Sequence, residues 1–185
     1  MKKVILLGDS IRLIGYGKKV PALLGDAYTV WQPEENCRFV QYTMRGVMHE
    51  WQEQMASADV IHWNNGLWDV CDLAGDGPFT PKEVYADFVL RTLRVLKRIT
   101  PNIIFATTTP VDSENHFNSN PVIEAYNAFI VPKLEAEGVV INDLHALVAP
   151  DIDRFIRKDD HIHLTDDGID VCAAAVAAKI RALAE

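Results

Sequence analysis

Two segments at opposite ends of the sequence contain residue types that together can perform nucleophilic catalysis. Residues 8–10 read Gly-Asp-Ser directly after a short apolar run, and residues 159–165 read Asp-Asp-His-Ile-His-Leu-Thr. A serine hydroxyl is a weak nucleophile at neutral pH, so it needs an imidazole to accept its proton and a carboxylate to orient that imidazole. Ser10, His163 and Asp160 have the chemistry for these three roles. Each segment taken alone is equally typical of an ordinary turn or a helix cap.

The same carboxyl-terminal segment also contains two histidines in an H-x-H pattern. His161, His163 and the neighbouring carboxylates are an alternative metal site, but no third nitrogen or sulfur ligand follows nearby. We therefore expect no metal and no cofactor, because a serine, histidine and aspartate triad needs neither.

Two segments in the middle of the chain contain candidate donors for an oxyanion hole, which must stabilise the charge that develops on a carbonyl oxygen. Gly46 lies in Arg-Gly-Val, which we predict to open a helix running to about Met55. Asn64 and Asn65 follow an apolar run, and a carboxamide there is a neutral donor. A plain loop glycine and a plain turn remain open for these positions.

Short apolar runs alternate with longer amphipathic segments, which predicts parallel strands joined by crossover helices. The predicted strands are Lys3–Leu7, Tyr28–Trp31, Val60–Trp63, Ile103–Thr107 and Val139–Asn142. The predicted helices are Pro81 to Arg98, Glu124 to Glu137 and a final one from near Thr165 through Val171–Ala184. The pattern indicates an α/β fold with a mostly parallel sheet of about five strands, in a single domain over residues 1–185.

The predicted sheet brings the candidate residues together. Ligands of open parallel α/β sheets bind outside the carboxyl ends of the strands. Ser10 and the asparagines each follow a predicted strand, and His163 precedes the final helix. We therefore expect these side chains to meet at one edge of the sheet.

The order of the segments resembles the SGNH hydrolases, also called the GDSL esterase/lipase family. The chain carries Gly-Asp-Ser, then a glycine, then Asn-x-Gly-x-x-Asp, and finally Asp-x-x-His followed by Leu-Thr-x-x-Gly. The resemblance spans nearly the whole chain and implies a three-layer α/β/α, flavodoxin-like fold. It also implies that Ser10 is the nucleophile, that Asp160 and His163 complete the triad, and that the N–H groups of Ser10 and Gly46 form the oxyanion hole with an asparagine.

The chain departs from the family pattern at two places. Ile11 stands where the G-D-S-L signature has leucine. The usual G-x-N-D block would place Trp68 where asparagine belongs, whereas the N-x-G-x-x-D version of that block points to Asn64. We assign Asn64 to the oxyanion hole with Asn65 as the alternative, and interpret Asp69 as a residue that orders the loop.

Composition limits the partners of the chain. Its 185 residues include 18 Lys and Arg against 26 Asp and Glu, for a net charge of −8, which argues against nucleic acid as a partner. The first apolar run is too short for an export signal, and no run is long enough to cross a membrane. The three cysteines are widely spaced, which is typical of free thiols in a reducing compartment. We expect a cytoplasmic protein, with an exported protein whose upstream export segment has been removed as the alternative. The sequence does not indicate the oligomeric state.

The substrate follows from these assignments as an expectation. We expect a small ester with a short acyl group of the acetyl type, with a carbohydrate as one candidate carrier. Trp63 and Trp68 either line the crevice or belong to the core. The alternatives are a lysophospholipase- or thioesterase-type hydrolase, or a catalytically inactive module that binds a small ligand or sugar on the same scaffold.

Overall fold

Five short segments form one parallel sheet in the computed structural model, which describes residues 1–184. The strands are Lys2–Leu7 (β1), Tyr28–Trp31 (β2), Val60–Asn64 (β3), Ile103–Ala106 (β4) and Val140–Asn142 (β5). They lie in the order β2-β1-β3-β4-β5, and every neighbouring pair is parallel. Every residue of β3 and β4 is buried, which explains why these strands appear in the sequence as continuous apolar runs. The predicted α/β fold with five parallel strands is confirmed.

Helices cover both faces of the sheet and complete a three-layer α/β/α arrangement. The α-helices are Val20–Leu24 (α1), Val40–Met48 (α2), Gln52–Met55 (α3), Lys82–Leu96 (α4), Asn120–Ala136 (α5), Leu144–Val148 (α6), Ile152–Phe155 (α7) and Asp166–Ala184 (α8). α1 packs against α8 on one face, while α4 packs between α2 and α5 on the other. No helix within residues 1–184 combines the length and the apolar composition that crossing a bilayer requires.

Two helices begin earlier than the sequence predicts. α5 begins at Asn120, and Pro121 in its first turn has the fixed φ that suits this position. α2 begins at Val40, so the prediction that a helix opens at Gly46 is wrong. The start of α2 is stabilised by Asp69, whose carboxylate accepts the Val40 N–H at 3.2 Å from each oxygen. Because Asp69 comes from a distant loop, no local signal marks this helix start.

The sheet order creates one crevice between β1 and β3. The chain runs from β1 to β2 at one edge, and then returns past β1 to β3, β4 and β5 on the other side. At such a reversal the connections leave opposite faces of the sheet, and a ligand site forms at the carboxyl ends of the two central strands. Ser10 follows β1 and Asn65 follows β3, so both lie at this reversal.

Candidate active site

Ser10 sits on a tight turn between β1 and a short π-helical segment, Ile11–Gly15. Asp9 fixes the turn because its Oδ1 accepts the Ile11 N–H at 2.9 Å. Gly8 is required by close packing, since a Cβ there would lie 2.0 Å from the Asn64 Oδ1. The turn therefore holds Ser10 at the opening of the crevice.

His163 and Asp160 lie in a loop closed by an antiparallel bridge between Ile156 and Leu164. The Asp160 Oδ2 is 3.0 Å from the His163 Nδ1, and its Oδ1 accepts the backbone N–H of His163 at 2.9 Å. Burial raises the pKa of Asp160, but the hydrogen bonds from His163 and the Ile162 N–H outweigh it and leave that pKa lowered. Asp160 is therefore held as a carboxylate that fixes the orientation of the imidazole.

The structure brings Ser10 and His163 to the same cavity, although they come from opposite ends of the chain. Both side chains line a cavity of about 380 Å³, whose other polar walls include Arg157, Thr165 and Asp166. Within residues 1–184, Ser10 and His163 form no direct hydrogen bond; catalytic hydrogen bonds of free enzymes commonly tighten only when substrate binds.

The two asparagines after β3 differ in their contacts. The Asn64 Oδ1 accepts the Tyr16 hydroxyl at 2.7 Å, and Asn64 lies directly against the Gly8 turn. Asn65 is completely buried, because its Oδ1 accepts the Trp63 Nε1–H at 2.5 Å and its Nδ2 donates to the Arg38 carbonyl at 2.7 Å. Asn65 thus has a structural role. Asn64 lies beside the serine turn but is itself buried and is not among the residues that line the cavities at Ser10.

Gly46 is not brought to this site. It lies inside α2, where a Cβ would be 2.3 Å from the Trp51 ring. It is not among the residues that line the cavities at Ser10. The glycine is explained by its contact with Trp51, so its assignment to the oxyanion hole has no support in the geometry.

Two carboxyl groups are buried beneath the site. Burial raises the pKa of Asp9, although the Asn64 amide, the Ile11 N–H and the charges of Arg12 and His163 oppose the shift. Burial also raises the pKa of Asp69 to about 7, against the hydrogen bond from the α2 start at Val40. Both groups face inward and hold backbone N–H groups, so they order the loops around Ser10. For Asp69, this agrees with the interpretation from the sequence that it orders its loop.

Arg12 is a buried residue near the site that sequence reasoning missed. Its guanidinium donates to the Gly8 carbonyl at 3.1 Å and to the carbonyls of Pro33 and Glu35 at 2.7 Å each. These bonds join the serine turn to the loop after β2. The sequence carries no signal for this role, because an arginine two residues after the serine is normally solvated.

A second cavity, of about 300 Å³, is also lined by Ser10. Its walls are mostly apolar side chains: Phe39, Leu67, Trp68, Cys71, Leu73, Phe79, Phe117 and Ile162. Trp68 therefore lines the crevice, whereas Trp63 is completely buried in the core. A weak sequence signal exists, since Phe79 and Phe117 are large apolar residues in otherwise polar loops.

The alternative metal site does not form around the H-x-H pair. His161 turns its Nδ1 to Asp112 at 3.2 Å, whereas His163 faces Asp160. Among residues 1–184, the group of side chains that could hold a metal ion is Asp112, Glu114 and His161. The Lys158 ammonium group contacts Asp112 directly and lowers its pKa to about 2, so a cation already occupies this carboxylate.

Comparison with known proteins shows a shared fold. No protein-family model matches the chain, and no curated protein matches its sequence. Among solved structures, the acetyl xylan esterase AlAXEase is 21% identical with a TM-score of 0.77, and the alignment covers 97% of this chain and 98% of that one. A lipase/acylhydrolase from Enterococcus faecalis is 16% identical with a TM-score of 0.81, over 98% of this chain and 96% of that one.

A third similar structure is an acetylxylan esterase from Geobacillus stearothermophilus. It is 16% identical with a TM-score of 0.78, over 97% of this chain and 94% of that one. Two further structures of that enzyme are described as catalytic mutants, one with a serine and one with a histidine replaced by alanine. These similar structures share the fold of this chain over nearly its whole length, as the resemblance noted in the sequence implied for the fold.

Proposed function

We propose that the chain hydrolyses carboxylic esters, with Ser10 as nucleophile, His163 as general base and Asp160 as the residue that orients the imidazole. The observation that carries the proposal is the 3.0 Å pairing of His163 Nδ1 with Asp160 in a loop that lines the same cavity as Ser10. With Nδ1 paired, the Nε2 atom is the one available to accept the serine proton.

The reaction follows the usual two steps of acyl transfer. The Ser10 Oγ attacks the ester carbonyl carbon while its proton moves to the His163 Nε2, and the tetrahedral intermediate collapses as His163 returns that proton to the leaving alkoxide. Water then attacks the acyl-enzyme as His163 accepts its proton, and the second tetrahedral intermediate collapses as His163 passes that proton to the Ser10 Oγ, which releases the acid and the free serine. The Asp160 carboxylate stabilises the imidazolium in both steps.

The oxyanion donors are proposed to be the Ser10 N–H and the Asn64 amide. Ser10 precedes a helical turn, and N–H groups at a helix start have no partner inside the helix. Asn64 contacts the same turn from β3. Gly46 is left out of this proposal because it packs on Trp51 within α2.

The names of the similar structures support the reaction class. They include two acetyl xylan esterases and a lipase/acylhydrolase, which act on acyl groups of different kinds. A serine and a histidine are catalytic in the Geobacillus enzyme, in agreement with the roles proposed for Ser10 and His163. The acetyl-type ester expected from the sequence has its support in two of these names.

Replacement of the nucleophile or the base tests the proposal. Ser10→Ala and His163→Ala are expected to lower kcat on an activated ester by about 10⁴–10⁶-fold, the loss that triads of this kind show. Ser57→Ala and His49→Ala, at exposed positions outside the site, are matched controls that should keep the parent rate.

Labelling distinguishes a hydrolase from an inactive binding module. A fluorophosphonate should modify the wild-type protein at Ser10 and leave the Ser10→Ala variant unlabelled, as mass spectrometry would show. An unlabelled wild-type protein, or a Ser10→Ala variant that hydrolyses the ester at the parent rate, would contradict the mechanism.

A further inference from the structure

The apolar cavity beside Ser10 gathers exposed apolar side chains that a folded protein rarely leaves together. Trp68, Leu73, Phe79 and Phe117 line it, and they are 42%, 65%, 54% and 53% exposed. They are four of the nine large hydrophobic side chains that are exposed in the described residues. Clustered exposed apolar groups typically mark a binding surface.

The polar side chains in the wall of this cavity are already engaged. The Asn118 Nδ2 donates to the Leu67 carbonyl at 2.8 Å, and the Asn115 Oδ1 accepts the backbone N–H groups of Phe117 and Asn118. Asp160 is held by His163. The cavity therefore has few free groups with which to recognise the hydroxyls of a sugar, and its chemistry suits a hydrocarbon.

The proposed reaction determines which cavity holds the alcohol part of the ester and which holds the acyl part. His163 must return its proton to the leaving oxygen, so the alcohol lies on the side of the imidazole. That side is the cavity lined by His163, Arg157, Thr165 and Asp166, whose polar groups suit a polar alcohol. The acyl group then extends from Ser10 into the other cavity that this residue lines, which is the apolar one.

We propose that the apolar cavity binds the acyl chain of the substrate, and that the preferred esters join an aliphatic acid of about six to ten carbons to a polar alcohol. The cavity volume of about 300 Å³ is far larger than an acetyl group needs, because a methylene group takes about as much space as a water molecule, roughly 30 Å³. This inference rests on the proposed ester hydrolysis and departs from the acetyl-type substrate expected from the sequence.

A series of monoesters that share one polar alcohol tests the preference. Glycerol monoacetate, monobutyrate, monohexanoate and monooctanoate, each below its aggregation concentration, would be followed by proton release. Each buried methylene should raise kcat/KM about fourfold, so the octanoate should exceed the acetate by at least about 10²-fold. Using glycerol throughout prevents an aromatic leaving group from occupying the apolar cavity.

Polar substitutions in the wall of the apolar cavity test whether the preference for long acyl chains arises there. Leu73→Asp and Phe117→Asp place a charge in the wall at positions that are more than half exposed, so we expect both variants to fold. Each should lower the octanoate-to-acetate ratio of kcat/KM at least about tenfold. Val84→Asp, at an apolar position that is 42% exposed on α4 and outside the cavity, is the matched control and should keep the ratio.

The outcomes separate the two proposals. Equal or faster hydrolysis of the acetate, with both reactions lost in Ser10→Ala, would overturn the acyl-chain assignment and leave ester hydrolysis standing. A preference for octanoate that survives both wall variants would also overturn it, because the chain would then bind elsewhere. If no monoester is hydrolysed and Ser10 takes no fluorophosphonate label, ester hydrolysis fails and the acyl assignment fails with it.

Discussion

Asn64 and Asn65 are adjacent residues with different surroundings, and this difference is the basis for the oxyanion role proposed for Asn64 and the structural role of Asn65. Asn64 lies against the serine turn and accepts a hydrogen bond from Tyr16. Asn65 joins Trp63 to the loop at Arg38 and has no exposed surface.

Replacement by alanine should therefore lower catalysis at Asn64 and the stability of the fold at Asn65. Asn64→Ala is expected to lower kcat about 10²–10³-fold, the loss that follows removal of one oxyanion donor. Asn65→Ala leaves the buried Trp63 Nε1–H and the partly buried Arg38 carbonyl without partners, and should lower the free energy of unfolding by about 1–3 kcal/mol. Steady-state kinetics and urea unfolding would measure kcat and the free energy of unfolding of both variants. Tyr16→Phe is the control for the loss of the contact between Tyr16 and Asn64. The opposite pattern would exchange the two roles.

The Asp69 carboxyl group gives the stability of the fold a defined pH dependence. Its pKa of about 7 in the folded chain lies above its ordinary value of 3.8, so between about pH 4 and 7 the unfolded chain binds fewer protons than the folded one. The contribution of the protonated Asp69 to the free energy of unfolding is therefore fully present below about pH 4. It is lost as the pH rises through about 7.

Asp69→Asn should remove this loss while keeping an oxygen that accepts the Val40 N–H. Relative to the parent, the variant should gain stability between pH 4 and pH 8, by roughly 2–4 kcal/mol. Urea unfolding at several pH values would measure the difference, with Asp76→Asn at an exposed loop position as the control. A constant difference between variant and parent across this range would contradict the assigned pKa.

At the scale of elements, α2 depends on a close contact that only glycine permits. Gly46→Ala would push a methyl group into the Trp51 ring, with separations of 2.3–2.5 Å before relaxation. Overpacking of this kind typically lowers the free energy of unfolding by about 1–3 kcal/mol. Trp51→Leu introduced together with Gly46→Ala should recover part of that loss, as thermal unfolding of the single and double variants would show. A loss of kcat with unchanged stability would instead support the role in the oxyanion hole that the sequence suggested.

The strands were predictable because a buried parallel strand has a simple signature. β2 has the predicted bounds, and the other four strands differ from the prediction by one residue at one end. Short helices such as α6 and α7, at 144–148 and 152–155, have too few residues to show a helical period. The start of α2 depends on Asp69, which is 29 residues away from Val40, so local reasoning misplaced Gly46.

For the whole molecule, the sheet topology determines what sequence reasoning could find. Ser10 and His163 were expected to meet because parallel strands direct their following segments to one edge of the sheet, and they do line one cavity. The apolar cavity was not predicted, because its walls combine loops around residues 39, 67–79, 115–118 and 162 whose packing no periodic pattern encodes. Arg12 was missed for the same reason, since its partners lie in the loop at 33–35.

The pairing of an early serine with a late histidine has a consequence for biosynthesis. β1 with its serine turn is translated before the other four strands, whereas the loop with Asp160 and His163 is translated after all five. A growing polypeptide consequently carries no complete proton-transfer pair until the loop after the fifth strand has been translated. Translation products that stop before this loop would lack the proposed activity.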